Sequence, residues 1–285
     1  MPKTLNPAKS AFPTAADIPS ATTASATATK PVAVITGASR GLGRELARAL
    51  ARTGWQLVLT ARSSADLIEV AGELSGQTTV VALAGSVVDD DHRAELAHAA
   101  ALLGGADLLI NNASTLAGYE LNGEPMPALA RFPLPGLLET FEVNVLAPIA
   151  LTQLLLPQLR QNHGAVLNLS SDAAAEPYAG WGGYGASKAA LDHASAILAL
   201  EEPDLRVWAV DPGDMRTVMH QDAFPGEDIS DRPLPETVVP AFLGLLADEP
   251  PSGRYRAADL VADLAAAQTT GSAAAPAAPA AKEGA

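Results

Sequence analysis

Residues 36–43 read T-G-A-S-R-G-L-G, and this stretch lies between an apolar run at 31–36 and a helical pattern at 42–53. Its glycines, Gly37, Gly41 and Gly43, lack a Cβ atom, which permits a tight turn and close approach of a ligand to the backbone. The helix that follows directs free N–H groups at the turn, and these suit an anion such as a pyrophosphate. The stretch therefore predicts strand, phosphate-binding turn and helix, with a plain connecting turn as the alternative.

The same alternation of apolar runs and helical patterns continues along the chain. The predicted strands are 31–36, 56–60, 79–83, 107–110, 165–169 and 205–210. The predicted helices are 42–53, 65–74, 90–103, 135–161, 185–201 and 235–247. Pro148 predicts either a kink in the fourth helix or two abutting helices. This spacing is typical of βαβ units, so we predict an α/β fold with a doubly wound, mostly parallel, Rossmann-like sheet.

The composition narrows the classes of protein that the chain can represent. Its 285 residues contain no cysteine, which excludes disulfides and thiol chemistry, and carry a formal net charge of −14. An acidic chain repels phosphate-rich surfaces, and no apolar run reaches the roughly 20 residues of a membrane span, so we expect neither a nucleic-acid nor a membrane partner. We expect a single cytoplasmic domain at 30–265, with disordered tails at 1–29 and 266–285.

The glycine spacing in residues 37–43 is G-x-x-x-G-x-G, and not the G-x-G-x-x-G of two-domain dehydrogenases. This form resembles the short-chain dehydrogenase/reductase family, and the resemblance extends from about Lys30 to Arg256. It implies an oxidoreductase that interconverts a carbonyl compound and an alcohol by hydride transfer with a nicotinamide cofactor. The alternative is a redox-sensing module of the same fold that binds NADP(H) without turnover.

The residues after the second predicted strand indicate which nicotinamide cofactor binds. NAD-dependent enzymes hold the ribose hydroxyls with an acid at this point, but residues 57–63 read L-V-L-T-A-R-S. Arg62, with Arg40 and Ser39 in the glycine-rich stretch, offers charge-assisted hydrogen bonds to a 2′-phosphate. We therefore predict NADP(H), while two ordinary surface arginines remain the alternative.

Two positions depart from the family pattern. Ser86 stands in A-G-S-V-V where an acid usually contacts the adenine, and it precedes Val87, which is expected to pack on the adenine. Ser114 ends N-N-A-S where the family has N-N-A-G, and we interpret this change as tolerated. The resemblance implies cofactor contacts from Gly37, Ser39, Arg40, Gly41, Leu42, Gly43, Arg62, Ser86, Val87, Asn112, Ala113, Tyr184, Lys188, Pro212, Gly213 and Thr217.

Tyr184 and Lys188 form a Y-x-x-x-K motif at the start of the fifth predicted helix. Residues four apart share a helix face, so the phenol and the ammonium can meet one ligand. A nearby cation favours the phenolate, and we expect it to lower the pKa of Tyr184 from its usual value near 10. Tyr184 is therefore predicted to exchange a proton with the substrate oxygen. On its own the motif occurs by chance in many helices.

Ser171 and Asn144 complete the catalytic set that the resemblance implies. Ser171 lies in L-N-L-S-S, thirteen residues before Tyr184, and would orient the substrate oxygen, with Ser170 as the competing candidate. Asn144, in F-E-V-N-V, would hold a water connected to Lys188. The alternatives are a serine that caps a turn and an asparagine in a helix interior beside a proline.

The substrate is expected to lie among three segments, 116–133, 172–183 and 215–233. Tyr178 and Trp181 are either contacts to an apolar substrate or anchors of a surface loop. The histidines do not have metal-ligand spacing with acids, so we predict no metal. The sequence does not identify the substrate.

The predicted helices around 137–159 and 186–200 carry apolar residues on more than one face. One face should cover the sheet, and the surplus suggests contact between copies of the chain. We therefore expect a homodimer or homotetramer, which the resemblance also implies.

Overall fold

A computed structural model of the chain describes residues 30–117 and 126–263. The predicted tails at 1–29 and 266–285 lie outside the described residues, as does part of the 116–133 segment. Within the described residues seven strands form one parallel sheet in the order β3-β2-β1-β4-β5-β6-β7. The strands are β1 (Val32–Thr36), β2 (Gln56–Ala61), β3 (Val80–Ala84), β4 (Leu108–Asn111), β5 (Ala165–Leu169), β6 (Arg206–Asp211) and β7 (Gly253–Arg256).

Helices cover both faces of this sheet. They are α1 (Gly41–Arg52), α2 (Ser64–Leu74), α3 (Asp90–Leu102), α4 (Leu134–Phe141), α5 (Ala147–Asn162), α6 (Gly182–Glu201), α7 (Val218–Ala223) and α8 (Val239–Asp248). One buried cluster joins the sheet to α1, α2 and α8, and a second joins it to α3 and α5. The predicted doubly wound α/β fold is therefore confirmed.

The strand order reverses between β1 and β4, which both pair with their neighbours in parallel. The turns that follow these two strands are tied together. The Thr36 hydroxyl accepts hydrogen bonds from the backbone N–H groups of Asn112 (3.0 Å) and Ala113 (2.9 Å), and the Asn112 amide donates to the Thr36 carbonyl (2.9 Å). In open α/β sheets such a switch point is where ligands bind.

The six predicted strands each lie within one residue of an observed strand. Helix α6 begins at Gly182, three residues before the predicted start, so Tyr184 lies in its first turn. Strand β7 and helix α7 were not predicted. The reason is local: β7 reads G-R-Y-R and lacks an apolar run, while α7 spans only six residues.

The long predicted helix at 135–161 is two helices joined by a π-helical turn, Glu142–Leu146. Of the two predicted arrangements, abutting helices are therefore the observed one. Pro148 lies in the first turn of α5, where its missing N–H costs little. Its ring would clash with the carbonyl of Asn144, four residues earlier, and the wider π turn relieves that clash.

The continuous stretch Leu134–Asn162 is long and apolar enough, by length and composition alone, to cross a membrane. From the sequence alone we predict no apolar run of this length. Its inner side supplies Leu151, Leu155 and Leu159 to the second buried cluster, and the core helix of a globular domain passes the same test.

Candidate active site

Two adjoining cavities open at the carboxyl ends of the parallel strands. The first has a volume of about 430 Å³ and the second about 330 Å³. Both are lined by Tyr184, together with Ser170 and Pro212. The phenol therefore lies where the two cavities meet.

The first cavity brings together most of the predicted cofactor residues. Its lining includes Gly37, Ser39, Arg40, Gly41, Leu42, Arg62, Ser86, Val87, Asn112, Ala113, Tyr184, Lys188, Pro212 and Thr217. Two predicted residues do not line it: Gly43 packs behind the glycine-rich turn, and Gly213 lines the second cavity. Sequence reasoning missed Asp66, an acid in the first turn of α2 that also faces the cavity.

The three glycines of the turn have different physical roles. Gly37 and Gly41 adopt positive φ angles of 65° and 54°, which side chains rarely tolerate. A Cβ on Gly43 would lie 2.4 Å from the Gly37 carbonyl oxygen and 2.5 Å from the Asn112 amide nitrogen. A Cβ on Gly41 would meet only the Thr217 methyl group, at 3.6 Å. Gly43 therefore permits helix packing, whereas Gly41 keeps the helix N-terminus open to the cavity.

We expect Gly43→Ala to lower the free energy of unfolding by about 1–3 kcal/mol, because the new methyl group overpacks a backbone contact. A urea denaturation curve measures this change. Gly72→Ala in α2 is the matched control, since no atom lies within 4 Å of its Cβ position. That control should gain about 0.5–1 kcal/mol from helix propensity. Equal stability of the two variants would contradict the packing role of Gly43.

Arg40 and Arg62 lie at one end of the first cavity, and both are exposed. Among the described residues neither guanidinium forms an ion pair. Arg40 is the N-cap residue of α1, and Ser63, next to Arg62, caps α2. Two unpaired positive charges and two helix N-termini therefore converge on this end of the cavity.

The turn after β3 carries the two predicted adenine contacts, Ser86 and Val87. The Val87 carbonyl accepts a hydrogen bond from the Arg93 guanidinium at 2.7 Å. A Cβ on Gly85 would lie 2.4 Å from the His92 ring, which in turn hydrogen-bonds the Thr60 hydroxyl at 2.7 Å. His92 and Arg93, near the start of α3, therefore hold this turn in place.

Tyr184 and Lys188 lie one turn apart on α6, as predicted. The buried Lys188 ammonium donates to the Leu169 carbonyl at 2.7 Å and lies 5.5 Å from the centre of the Tyr184 ring. Burial lowers the pKa of Lys188 to about 8, against the attraction of Asp192.

The expectation of a lowered pKa for Tyr184 is wrong for the chain without a bound cofactor. Burial raises the pKa of Tyr184 to about 12, and the hydrogen bonds with the Ser171 and Ser114 hydroxyls only partly oppose this. The carboxylates of Asp172 and Asp211 raise it further. The Tyr184 phenol is therefore protonated at neutral pH.

The structure separates the two competing serines after β5. The Ser171 hydroxyl interacts with the Tyr184 phenol in the sense that lowers the pKa of Tyr184, and it donates to the Asp172 carboxylate at 3.0 Å. The buried Ser170 hydroxyl instead donates to the Asp192 carboxylate at 2.7 Å. This geometry favours Ser171 as the residue that contacts a substrate oxygen.

Asn144 is buried in the π turn and is engaged on all sides by protein groups. Its carbonyl oxygen accepts from the Ser114 hydroxyl (3.1 Å) and the Thr115 N–H (2.9 Å). Its amide nitrogen donates to the Thr115 carbonyl (3.0 Å) and the Ser187 hydroxyl (3.0 Å). An amide has two acceptor and two donor positions, and all four are filled. Asn144 thus holds the turn after β4, while its predicted contact to a water stays a prediction.

Aromatic side chains form one wall of the second cavity. Trp181 lies edge-on to Tyr184, with ring centres 5.6 Å apart, and its ring centre is 5.8 Å from that of Phe224. Tyr178 also lines this cavity, and its hydroxyl hydrogen-bonds Glu176 and Asp172, which raises the pKa of Tyr178 to about 12. Placement of Tyr178 and Trp181 here favours contact with a substrate over a purely structural role.

Arg254 of β7 links the ends of β5 and β6 to α6 through its guanidinium. It donates to the Asp192 carboxylate (2.9 Å), to the Ser171 carbonyl (2.8 Å) and to the Asp211 carboxylate (3.4 Å). Burial raises the pKa of Asp211, while the Gly213 N–H and Arg254 oppose that rise. Since β7 was not predicted, the sequence offered no signal for this contact.

Among residues 30–117 and 126–263, no group of three or more His, Asp or Glu side chains is placed to hold a metal ion.

The Rossmann-like sheet and a tyrosine–lysine pair beside a phosphate-binding turn define a nucleotide-dependent oxidoreductase. The family model for short chain dehydrogenases matches residues 31–228. The uncharacterized oxidoreductase YciK of Escherichia coli is 32% identical over 225 residues, covering 76% of this chain and 86% of YciK. Mouse sepiapterin reductase is 34% identical over 207 residues, covering 67% of this chain and 76% of the reductase.

A solved structure shows the same fold. The short chain dehydrogenase of Shigella flexneri 2a complexed with NADP superimposes with a TM-score of 0.73 at 28% identity, covering 80% of this chain and 96% of that protein. The chain belongs to the short-chain dehydrogenase family.

Proposed function

We propose that the protein reduces a carbonyl compound to an alcohol with NADPH, and that Tyr184 donates the proton. One observation carries this proposal: the Tyr184 phenol lies where the two cavities meet, beside the Ser171 hydroxyl and one helical turn from Lys188. A nucleotide in the first cavity and a small molecule in the second would meet at this phenol.

The first cavity offers two features that fit the phosphates of NADP(H), a helix N-terminus and a pair of arginines. The space in front of the α1 N-terminus is open, because a Cβ on Gly41 would meet only one methyl group. Free N–H groups there suit a pyrophosphate. Beside this N-terminus Arg40 and Arg62 suit a 2′-phosphate. Asp66 also lines the cavity and disfavours an anion, but the two cations outweigh this one acid. The NADP complex of the Shigella flexneri relative supports this assignment.

When bound, NADPH supplies a hydride to the carbonyl carbon and is oxidised to NADP⁺. Tyr184 gives its phenolic proton to the carbonyl oxygen, so the carbonyl gains one hydride and one proton and becomes an alcohol. Ser171 orients that oxygen beside the phenol. Lys188, fixed by the Leu169 carbonyl, would hold the nicotinamide ribose and stabilise the phenolate that remains. Solvent then returns a proton to Tyr184.

The protonation state of Tyr184 supports the reductive direction. With its pKa raised to about 12 by burial, the phenol keeps its proton at neutral pH and is a general acid. Alcohol oxidation needs the phenolate, which is scarce in the protein by itself. A positive charge on the oxidised cofactor would favour that phenolate, so the reverse reaction is expected chiefly at alkaline pH.

The test is a panel of neutral aromatic and aliphatic aldehydes and ketones incubated with the full chain and NADPH. The proposal predicts loss of NADPH absorbance that depends on the carbonyl compound, with one alcohol formed per NADPH consumed. Tight NADPH binding without oxidation by any member would instead support the non-catalytic binding module.

We further propose that the chain forms a homodimer or homotetramer through α4, α5 and α6. Leu138 and Leu146, on α4 and in the π turn, are 65% and 57% exposed, and Leu200 on α6 is 83% exposed. Burying such leucines against a second copy is favourable by roughly 25 cal/mol per Å² of apolar surface. Light scattering should give at least twice the chain mass, and Leu138→Glu should lower it. A monomeric mass for the unmodified chain would refute the assembly.

A further inference from the structure

Ser114 occupies a position where the resembling family pattern has glycine, and the structure places its hydroxyl at the candidate active site. It follows β4 directly and lines the first cavity together with Tyr184 and Lys188. A glycine at this position would have no side chain to contact Tyr184 or Lys188. The hydroxyl is therefore a polar group added at the point where proton transfer is proposed.

One side of Ser114 is held by the π turn. Its hydroxyl lies 3.1 Å from the Asn144 carbonyl oxygen, which can only accept, so Ser114 is the donor. Asn144 is itself fixed through Thr115, and through Ser187, whose hydroxyl donates to the Tyr184 carbonyl at 2.6 Å. The Ser114 oxygen thus has a position set by a buried network that reaches α6.

The other side of Ser114 faces the phenol. Its hydroxyl shares the lining of the first cavity with Tyr184 and Lys188, and, like the Ser171 hydroxyl, it interacts with the phenol in the sense that lowers the pKa of Tyr184. A serine hydroxyl has one proton and two lone pairs, and the proton rotates to suit its partner. While the phenol holds its proton, Ser114 donates to Asn144. If that proton turns toward the phenol, the Asn144 oxygen keeps the Thr115 N–H, so the change leaves no buried acceptor empty.

We propose that Ser114 is a positioning residue for Tyr184, held by Asn144, whose hydroxyl turns to donate to the phenolate once the proton has passed to the substrate oxygen. This inference rests on the proposed function. Ser114 keeps its own proton throughout: the phenolic O–H bond breaks, the substrate O–H bond forms, and Ser114 only redirects a hydrogen bond. Charge-assisted hydrogen bonds of this kind are about twice as strong as neutral ones.

The experiment compares Ser114→Ala, Ser114→Gly and Ser114→Thr in alcohol oxidation with NADP⁺ as a function of pH, using an alcohol made by the wild-type enzyme. The rise of kcat with pH reports ionisation of Tyr184 in the complex. Losing a donor to the phenolate should move this rise in the Ala and Gly variants to higher pH by about half to one unit, with kcat at neutral pH reduced about three- to tenfold. The Thr variant retains a hydroxyl and should restore the wild-type profile.

Thr115→Val is the matched control in the same turn, because among residues 30–117 and 126–263 the Thr115 hydroxyl accepts only from the Ala117 N–H and does not act on the phenol. Its profile should not move. Melting temperatures and NADPH affinity are measured for every variant, since a merely structural Ser114 would change these and leave the pH profile in place. An unshifted profile in Ser114→Ala and Ser114→Gly overturns the inference. A shift to lower pH also overturns it, because it would show that Ser114 only accepts. Absence of any turnover in the wild type would instead refute the proposed function.

Discussion

Replacement of Tyr184 by phenylalanine is expected to abolish carbonyl reduction while NADPH still binds. The change removes one oxygen atom and keeps the ring that packs edge-on against Trp181. The substitution removes the phenolic proton that we propose passes to the carbonyl oxygen. General acid catalysis contributes about 10²–10⁴-fold to a rate, so kcat should fall by that factor. Steady-state kinetics give kcat, and quenching of protein fluorescence gives the NADPH affinity.

Tyr255→Phe is the matched control for this substitution. Tyr255 lies on β7 and lines neither cavity. Its hydroxyl donates to the Pro251 carbonyl at 2.7 Å. It should retain nearly full activity. If Tyr184→Phe keeps more than a few per cent of wild-type turnover, Tyr184 is not the acid.

The second large effect concerns cofactor choice. Arg40→Ala combined with Arg62→Ala should raise KM for NADPH far more than KM for NADH, because only NADPH carries the 2′-phosphate. Each hydrogen bond to a charged group is worth about 1.5–3 kcal/mol, so the preference for NADPH should fall on the order of a hundredfold or more. The ratio of kcat/KM for the two cofactors measures this preference directly.

Arg44→Ala serves as the control for charge removal, because Arg44 pairs with Glu45 on α1 and does not line the first cavity. It should change both KM values little. Equal effects of the double substitution on NADPH and NADH would refute a 2′-phosphate site at Arg40 and Arg62.

Much of the fold is encoded locally and could be predicted. Apolar runs of four to six residues in fully buried parallel strands, such as β1, give a continuous signal that the chain repeats at βαβ spacing. The strand ends then position the glycine-rich turn, Arg62 and Ser171 along one edge of the sheet. Each of these motifs is weak evidence when taken alone, but their shared position at the strand ends indicates a single site.

The remaining features depend on contacts between distant segments. Ser114 reaches Asn144 across thirty residues, and Arg254 reaches the Ser171 carbonyl across eighty-three, so no local pattern marks either contact. The raised pKa of Tyr184 arises from burial, which a motif does not display. The π turn follows from the Pro148 ring, yet the sequence left a kink and a break equally open.

The central claim is hydride transfer from NADPH to a carbonyl carbon at the junction of the two cavities. The most direct test uses NADPH carrying deuterium at either of the two hydrogens of nicotinamide C4, with a ketone that the enzyme reduces, and mass analysis of the alcohol. The account predicts deuterium on the carbinol carbon with one of the two labelled cofactors. An alcohol that carries deuterium from neither cofactor would contradict it.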